Sequence, residues 1–577
     1  MQNKNKKVLV VFGEQFPKKS EKWRQQFDEI LGPRELERFV QSGNVQEAYE
    51  LVNKLSRLTT RDGKRLSKLI NWQGYELWWM HYDDICYNFC FPYIQYRKLL
   101  EYLKDFKEIY LYQAPYSNLF RYFLKSNDCR CVEVDDFSVR LRKWLIPGGI
   151  FVQLILSALF LLPLIIIRPK VMFWTNDKFN PPYRYDFRHK RIYQELEAGK
   201  VHFVRFIRGM ESWSTVLRHA WQRKRPVIYS AAIIYFISEK FRRFEKKEDK
   251  ELIDSIRSSG DNPEQGFWLS VFTHYLKDNI RVTRWSINTM KWLLQLIGVR
   301  SAILLSAGNR TFHEVLGCKL AGIKTVGVQH GLTPRYYFVA DFMPEFDGEK
   351  PLSLDRYGLR SDWWKQYYLK YGRTFKPEQL YISGSTRPLE KEITFVESPA
   401  SKEGPLKVLF VAEQLAEPTE IMPYLLALLE VKDFIVSVKF RPQTDKLEEW
   451  LKKNEQGLLG KINSLKGDIH QAISESDVVV GSNSTAVLEG LCQLKPFVFF
   501  WTNKWGDYFD IATFDTQGRF FVRNPADLID RIRKSSDVPK EDLKKLQERF
   551  LGNPYQNGAK WLVEQAVEFS KNYGRQR

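Results

Sequence analysis

DVVVGSNSTAVLEGLCQLKPFVFFW, Asp477 to Trp501, is the stretch that decides the architecture. Val478, Val479 and Val480 form an unbroken β-branched run, which suits a strand buried on both faces of a sheet. A turn of small polar residues follows, Gly481 to Ser484, then a helical pattern from about Thr485 to Leu494 and a second apolar run, Pro496 to Trp501. Strand, turn, helix and strand in that order make one β-α-β unit of a parallel sheet. Upstream the alternation continues with KVLFVA (Lys407–Ala412), a helix near Ile421–Leu429, IVSVKF (Ile435–Phe440) and a helix near Asp445–Lys453. A second, earlier unit has the same form: AILLS (Ala302–Ser306), a helix over Thr311–Leu320, and TVGVQ (Thr325–Gln329) ending in His330 and Gly331. The expected fold class is therefore α/β, two Rossmann-like domains with a cleft between them. Residues 1–388 are expected to form the first domain with helical insertions and 389–545 the second, with 546–577 as a helix bracing the two.

Composition sets the limits around this reading. The chain has 577 residues, 44% hydrophobic and 27% charged, so it is neither disordered nor collagenous. A net charge of +20 favours an anionic partner, which could be nucleic acid, a phospholipid surface or a phosphorylated substrate. Six cysteines show neither disulfide-framework density nor a paired zinc spacing, so free thiols are expected. Between Gly74 and Tyr96 the sequence is rich in Trp, Tyr and Phe, which suits packed core.

One segment is unlike the rest. Trp144 to Ile167 carries no charge, and Ile150–Ile167 alone would reach about 27 Å as a helix, against a hydrocarbon core of about 30 Å. Pro147, Gly148, Gly149 and Pro163 interrupt it, and basic residues flank both ends, so no positive-inside asymmetry orients a crossing. Strand-like runs lie before it (Val8–Phe12, Ile109–Tyr112, Cys131–Val134) and after it (Val171–Trp174, Val201–Phe206, Val227–Tyr229). A single sheet built from both groups would keep the segment on one side of a bilayer. The expectation is a monotopic or re-entrant anchor on the cytoplasmic face of the inner membrane, with Trp144, Ile150, Phe151, Leu154, Leu161 and Ile167 as its membrane residues; a buried helical hairpin is the competing possibility. Residues 180–250, with 17 Lys or Arg against 8 Asp or Glu, suit an anionic headgroup surface.

In open parallel sheets ligands gather at the carboxyl ends of strands. Two such places carry chemistry. At the first, the turn Gly481–Thr485 offers hydroxyl donors from Ser482, Ser484 and Thr485 and backbone N–H groups to a phosphate; Gly481 would let a ligand approach, and Glu489 would accept ribose hydroxyls. Ser484 as a plain helix cap and Glu489 as a solvated acid fit the same residues. At the second, His330 and Gly331 follow a buried strand, placing an imidazole where it can move a proton or bind phosphate. Lys439 and Arg441 end a third strand and would neutralise a diphosphate. P-loop, dinucleotide G-x-G-x-x-G and H-E-x-x-H motifs are absent, which disfavours a triphosphatase or a zinc hydrolase.

GIKTVGVQHG, LYISGSTRP, VKFRPQTD, SDVVVGSNSTAVLEGLCQLKPFVFF and NPYQNGAKWLVEQAVEFSK together resemble the blocks of GT-B glycosyltransferases, particularly bacterial surface-polysaccharide and capsule enzymes, over roughly residues 300–570. This group includes CDP-glycerol glycerophosphotransferases, capsule Kdo transferases and GT-B sialyltransferases. The resemblance implies a nucleotide-sugar donor in the C-terminal domain, with Ser484 and Thr485 on its phosphates and His330–Gly331 facing the reacting centre. The apolar segment and the basic stretch lie in the acceptor-side half, so a lipid-linked or membrane-proximal glycan acceptor is expected; with the helix dipole, Ser484, Thr485, Lys439 and Arg441 on the departing phosphate, no metal is required and no cofactor is expected. Arg441–Pro442 stands where that group commonly has His-Pro, and the sialyltransferases' acidic base motif is not evident. Glu345 and Asp341, just past His330, and Glu413 are the carboxylates considered as base. A glycerophosphotransferase, a UDP-sugar 2-epimerase, a non-catalytic scaffold and a nucleic-acid binder are the alternatives, ranked below transfer.

Overall fold

A computed structural model describes residues 6–573 apart from 14–24, 42, 61–62, 135–154, 156–157, 160, 176–188, 208–226, 229–262, 306–310, 330, 333, 337–340, 390–403, 442–444 and 516. The strands before and after the apolar segment do not share a sheet. The first group is β1 (Lys7–Val11), β2 (Glu29–Leu31), β3 (Glu108–Tyr112) and β4 (Arg130–Val134), all parallel in the order β2-β1-β3-β4. The second is a seven-stranded parallel sheet of β5 (Val171–Thr175), β6 (Phe203–Ile207), β7 (Val227–Ile228), β8 (Ser301–Leu304), β9 (Lys324–Val328), β10 (Arg356–Leu359) and β11 (Leu380–Ile382), ordered β11-β10-β9-β8-β5-β6-β7. Residues 1–388 therefore hold two sheets, and the single-sheet argument about the apolar segment falls away. Apolar periodicity finds strands; it carries no information on which of them pair.

The third sheet is β12 (Leu406–Val411), β13 (Phe434–Lys439), β14 (Asn463–Ser464), β15 (Val478–Gly481), β16 (Phe497–Phe500) and β17 (Phe521–Val522), parallel in the order β14-β13-β12-β15-β16-β17. In the second and third sheets the earliest strand is internal, later strands add first on one side and then on the other, and the order is the doubly wound one. The order reverses between β5 and β8 in the second sheet and between β12 and β15 in the third.

Helices relevant to function are α1 (described at 155, 158–159 and 161–167), α2 (Lys190–Ala198), α3 (Pro263–Ile297), α4 (Phe312–Leu320), α5 (Asp362–Tyr371), α6 (Pro418–Leu429), α7 (Thr485–Leu488), α8 (Lys540–Phe550) and α9 (Gly558–Asn572). The unit β8-α4-β9 falls where the sequence reading puts it. α8 is bonded to both lobes: the Trp364 indole on α5 donates to the Phe550 carbonyl at 2.8 Å, and Gln547 Nε2 donates to the Leu491 carbonyl at 2.7 Å. α9 then returns to the second sheet. Its Ala559, Leu562, Val563 and Ala566 share a core with Val171 and Phe173 of β5, Ile303 of β8, and Val326 and Val328 of β9. Arg356 of β10 donates to Glu568 at 2.7 Å.

The first sheet's lobe touches both others. Val45 N–H donates to the Lys504 carbonyl at 3.2 Å in the third-sheet lobe, and Tyr49 meets Tyr336 edge to face. Trp78, Trp79, Tyr82 and Phe89 of the aromatic stretch are buried, and Tyr87 is exposed. All six cysteines are free thiols.

Candidate functional site

The loops after β12 and β15 diverge because the sheet reverses its winding there, and they build the site. Glu413 leaves the β12 loop and is buried. Its carboxylate accepts from the N–H of Leu415, the N–H of Ala416 at 2.7 Å and Ser482 Oγ at 3.0 Å. Burial raises its pKa above the usual carboxylate range, and those hydrogen bonds oppose the rise. Ser482, expected on a phosphate, thus holds the two loops together. Gly481 has a packing role as well: a Cβ there would lie 2.6 Å from Val487 Cγ2 and 3.1 Å from the Val411 carbonyl, so the space expected for a ligand is filled by the chain itself.

Ser484 caps α7, its hydroxyl accepting from the Ala486 N–H at 3.3 Å. The helix expected to Leu494 is α-helical only for Thr485–Leu488 and continues as a 3-10 helix over Glu489–Gln493. Its macrodipole is accordingly small, and hydroxyls and loop N–H groups carry more of any anion binding here than the helix axis does. Ser484 and Thr485 are half-buried at the surface of the turn.

Across from that turn stands Gly331, just past β9 in the other lobe. A Cβ placed on Gly331 would lie 3.9 Å from Thr485 Cγ2, the nearest such contact among the described residues. Two strand ends of different sheets therefore meet at the hydroxyl turn. His330, the residue between Gln329 and Gly331, lies outside the described residues, as do Pro442, Trp144, Ile150, Phe151 and Leu154. Gln329 itself is fully buried; its Oε1 accepts from the Arg360 N–H at 3.2 Å, while its Nε2 has no hydrogen-bond partner among the described residues.

The two cations differ in environment. Lys439 is buried, its Nζ 3.5 Å from the Phe440 carbonyl, and burial pulls its pKa below the usual lysine value while Asp468 opposes the fall. Arg441 is exposed, and its backbone N–H donates to Asp445 Oδ2 at 3.0 Å. It follows β13, two strand spacings from β15, hence about 10 Å from the hydroxyl turn, a distance spanned by a diphosphate and an extended guanidinium side chain together.

Away from the turn the lobes are bolted by charge. Arg387, after β11, donates to Glu489 Oε1 at 2.8 Å, and His470 Nε2 lies 3.8 Å from Oε2. Burial pushes the Glu489 pKa up, but the charges of Arg387, His470 and Arg360 outweigh it and hold the carboxyl below its usual range. Glu489, expected on ribose, is an interlobe anchor. A second bolt joins Tyr367, whose hydroxyl donates to Asp510 Oδ2 at 2.9 Å, with Arg335, which stacks on Tyr336 and Tyr371. Arg387, Arg360, Arg335 and Asp510 escaped the sequence reading; Arg360 alone directly follows a strand, and nothing local flags the other three.

The carboxylates considered as base are otherwise engaged. Glu345 accepts from both Nε and Nη2 of Arg57, which lowers its pKa and occupies the oxygens a proton would need. Asp341 is buried against a small cavity lined by Phe312, Met343 and Thr374, and burial, with Asp83 adding, pushes its pKa up to about 8. Among the described residues no group of three or more His, Cys, Asp or Glu is placed to hold a metal ion.

No family model matches the chain, and no curated protein matches it. Among solved structures it is similar to MnaA of S. aureus in a co-structure with UDP, at 14% identity and a TM-score of 0.40, over 70% of this chain and 97% of that one. It is also similar to a UDP-N-acetylglucosamine 2-epimerase from Rickettsia bellii, at 11% identity and a TM-score of 0.41 over 70% and 98% of the two chains. A third is the glycotransferase of kitacinnamycin, at 10% identity and 0.41 over 69% and 99%. At such identities and scores the likeness says nothing of chemistry, which rests on the side chains themselves.

Proposed function

We propose that the chain is a nucleotide-sugar-dependent glycosyltransferase of surface-polysaccharide synthesis. The observation that carries the reading is the approach of Gly331 to Thr485 at the reversal point of the third sheet. The donor's phosphates sit on Ser484, Thr485 and the backbone N–H groups of that turn, with Arg441 reaching in from β13. The bond from the anomeric carbon to the phosphate oxygen breaks, the phosphate leaves with the electron pair, and an acceptor hydroxyl forms the new glycosidic bond. His330, adjacent to Gly331 in sequence, takes the hydroxyl proton or donates to the phosphate. The chain's own hydroxyls and cations supply this charge stabilisation.

The acceptor is a glycan, lipid-linked at the cytoplasmic face of the membrane, and the first sheet offers it a wall. That sheet reverses between β1 and β3, where Gln113 and Tyr116 hold left-handed backbone, φ 52° and 55°. Strain of this kind collects at binding sites. Tyr116 and Tyr96 lie within electrostatic reach of Glu417 beside α6, so this edge looks toward the third sheet.

A thermal-shift series with UDP, CDP, GDP and CMP tests the reading. One nucleotide is expected to raise the melting temperature of the wild type and to lose that effect in Thr485→Val and Arg441→Ala. A set of nucleotides that all leave the melting temperature unchanged overturns it. Conversion of a UDP-sugar to its C2 epimer without acceptor would replace transfer by epimerisation.

A further inference from the structure

α1 presents its apolar side outward. Ile155, Leu159, Leu162 and Ile166 are 46%, 56%, 61% and 83% exposed, and at about 100° per residue they fall within about 60° of one another around the axis. Leu164, about 180° from the centre of that stripe, is buried in the main core, and Leu161 and Ile165 pack against the same core. A soluble surface helix has the reverse arrangement. Exposed large apolar side chains elsewhere among the described residues are scattered, whereas here five, with Ile167, share one helix.

Just past the helix the chain turns cationic. Arg168 and Lys170 are exposed, and the Arg300 N–H donates to the Lys170 carbonyl at 2.9 Å, bringing a third exposed cation beside them. Arg168 lies against Gly298 at the end of α3.

We infer that α1 is an in-plane membrane foot, which buries the Ile155–Leu159–Leu162–Ile166 stripe in the acyl boundary of an anionic leaflet while Arg168, Lys170 and Arg300 contact its headgroups. The inward face decides between lying and crossing. A helix whose Leu164 is locked into the protein core cannot be surrounded by lipid. Among the described residues no helix is long and apolar enough to cross a membrane. The foot stands on its own evidence and holds whichever reaction the crevice carries out.

The full-length protein is floated with vesicles of phosphatidylcholine alone and of equimolar phosphatidylcholine and phosphatidylglycerol. Flotation is expected with the anionic vesicles, weakened by salt, and reduced about tenfold or more in the double variant Leu162→Glu, Ile166→Glu. Ile435→Glu, at an exposed site on β13, is expected to float like the wild type. Because all these positions are exposed, melting temperatures should stay close to that of the wild type. In Leu162→Trp, quenchers near the headgroup should dim the tryptophan more than quenchers at the chain ends. Flotation unchanged by the double variant, or absent in the wild type, overturns the foot. So does a double variant that instead dissolves an oligomer, since the stripe would then be a contact between copies. Stronger quenching from the chain ends overturns the in-plane placement.

Discussion

The second and third lobes meet in two ways. At Glu489 the meeting is ionic and buried, with Arg387, Arg360 and His470 converging on one carboxylate. At Thr485 it is, among the described residues, a van der Waals approach to Gly331 beside the hydroxyls of the turn. Charge spent within the protein fixes the geometry, and polar groups not spent within it remain for a ligand. One meeting of the lobes is thus held by buried charge and the other only by contact.

The contrast is broken most forcefully at the bolt. Arg387→Ala leaves the Glu489 charge buried and is expected to cost about 2 kcal/mol in denaturant unfolding, below the 3–5 of a fully buried pair because Arg387 is 36% exposed. Glu489→Gln gives the pH arm. The Glu489 carboxyl is lowered by folding, so its contribution is complete above the ordinary carboxylate range near 4.3 and is lost as pH falls below it. The variant should flatten the acid limb of stability against pH. At the gap the order of effects inverts. Thr485→Val should lower nucleotide affinity about tenfold by titration calorimetry, roughly 1.4 kcal/mol, while changing the stability of the free protein by less than about 0.5 kcal/mol. The smallest effect belongs to neither region. Glu345→Gln removes a surface ion pair with Arg57, worth about 0.5 kcal/mol, and should leave turnover unchanged. A marked loss of activity in Glu345→Gln would restore the carboxylate as a base.

Much of this was legible in the chain itself. The β8-α4-β9 unit and the strands β12, β13, β15 and β16 follow from apolar runs and turn residues, and the hydroxyl turn follows from GSNST. What was illegible lies at long range. Glu489 looks like a first-turn acid until Arg387 arrives from 102 residues upstream, and Glu345 looks free until Arg57 arrives from 288 residues away. Gly481 reads as an opening for a ligand, because sequence does not reveal that Val487 and the Val411 carbonyl crowd that spot. The split of residues 1–388 into two sheets was hidden for the same reason: pairing is a tertiary choice.

The return of α9 to the second sheet has a consequence for biosynthesis. The sheet is complete at Ile382, yet the residues that cover β5, β8 and β9 from Ala559 onward are translated only after the whole third lobe. Until α9 docks, Val171, Phe173 and Val326 lack that part of their cover and are open to chaperones or to aggregation.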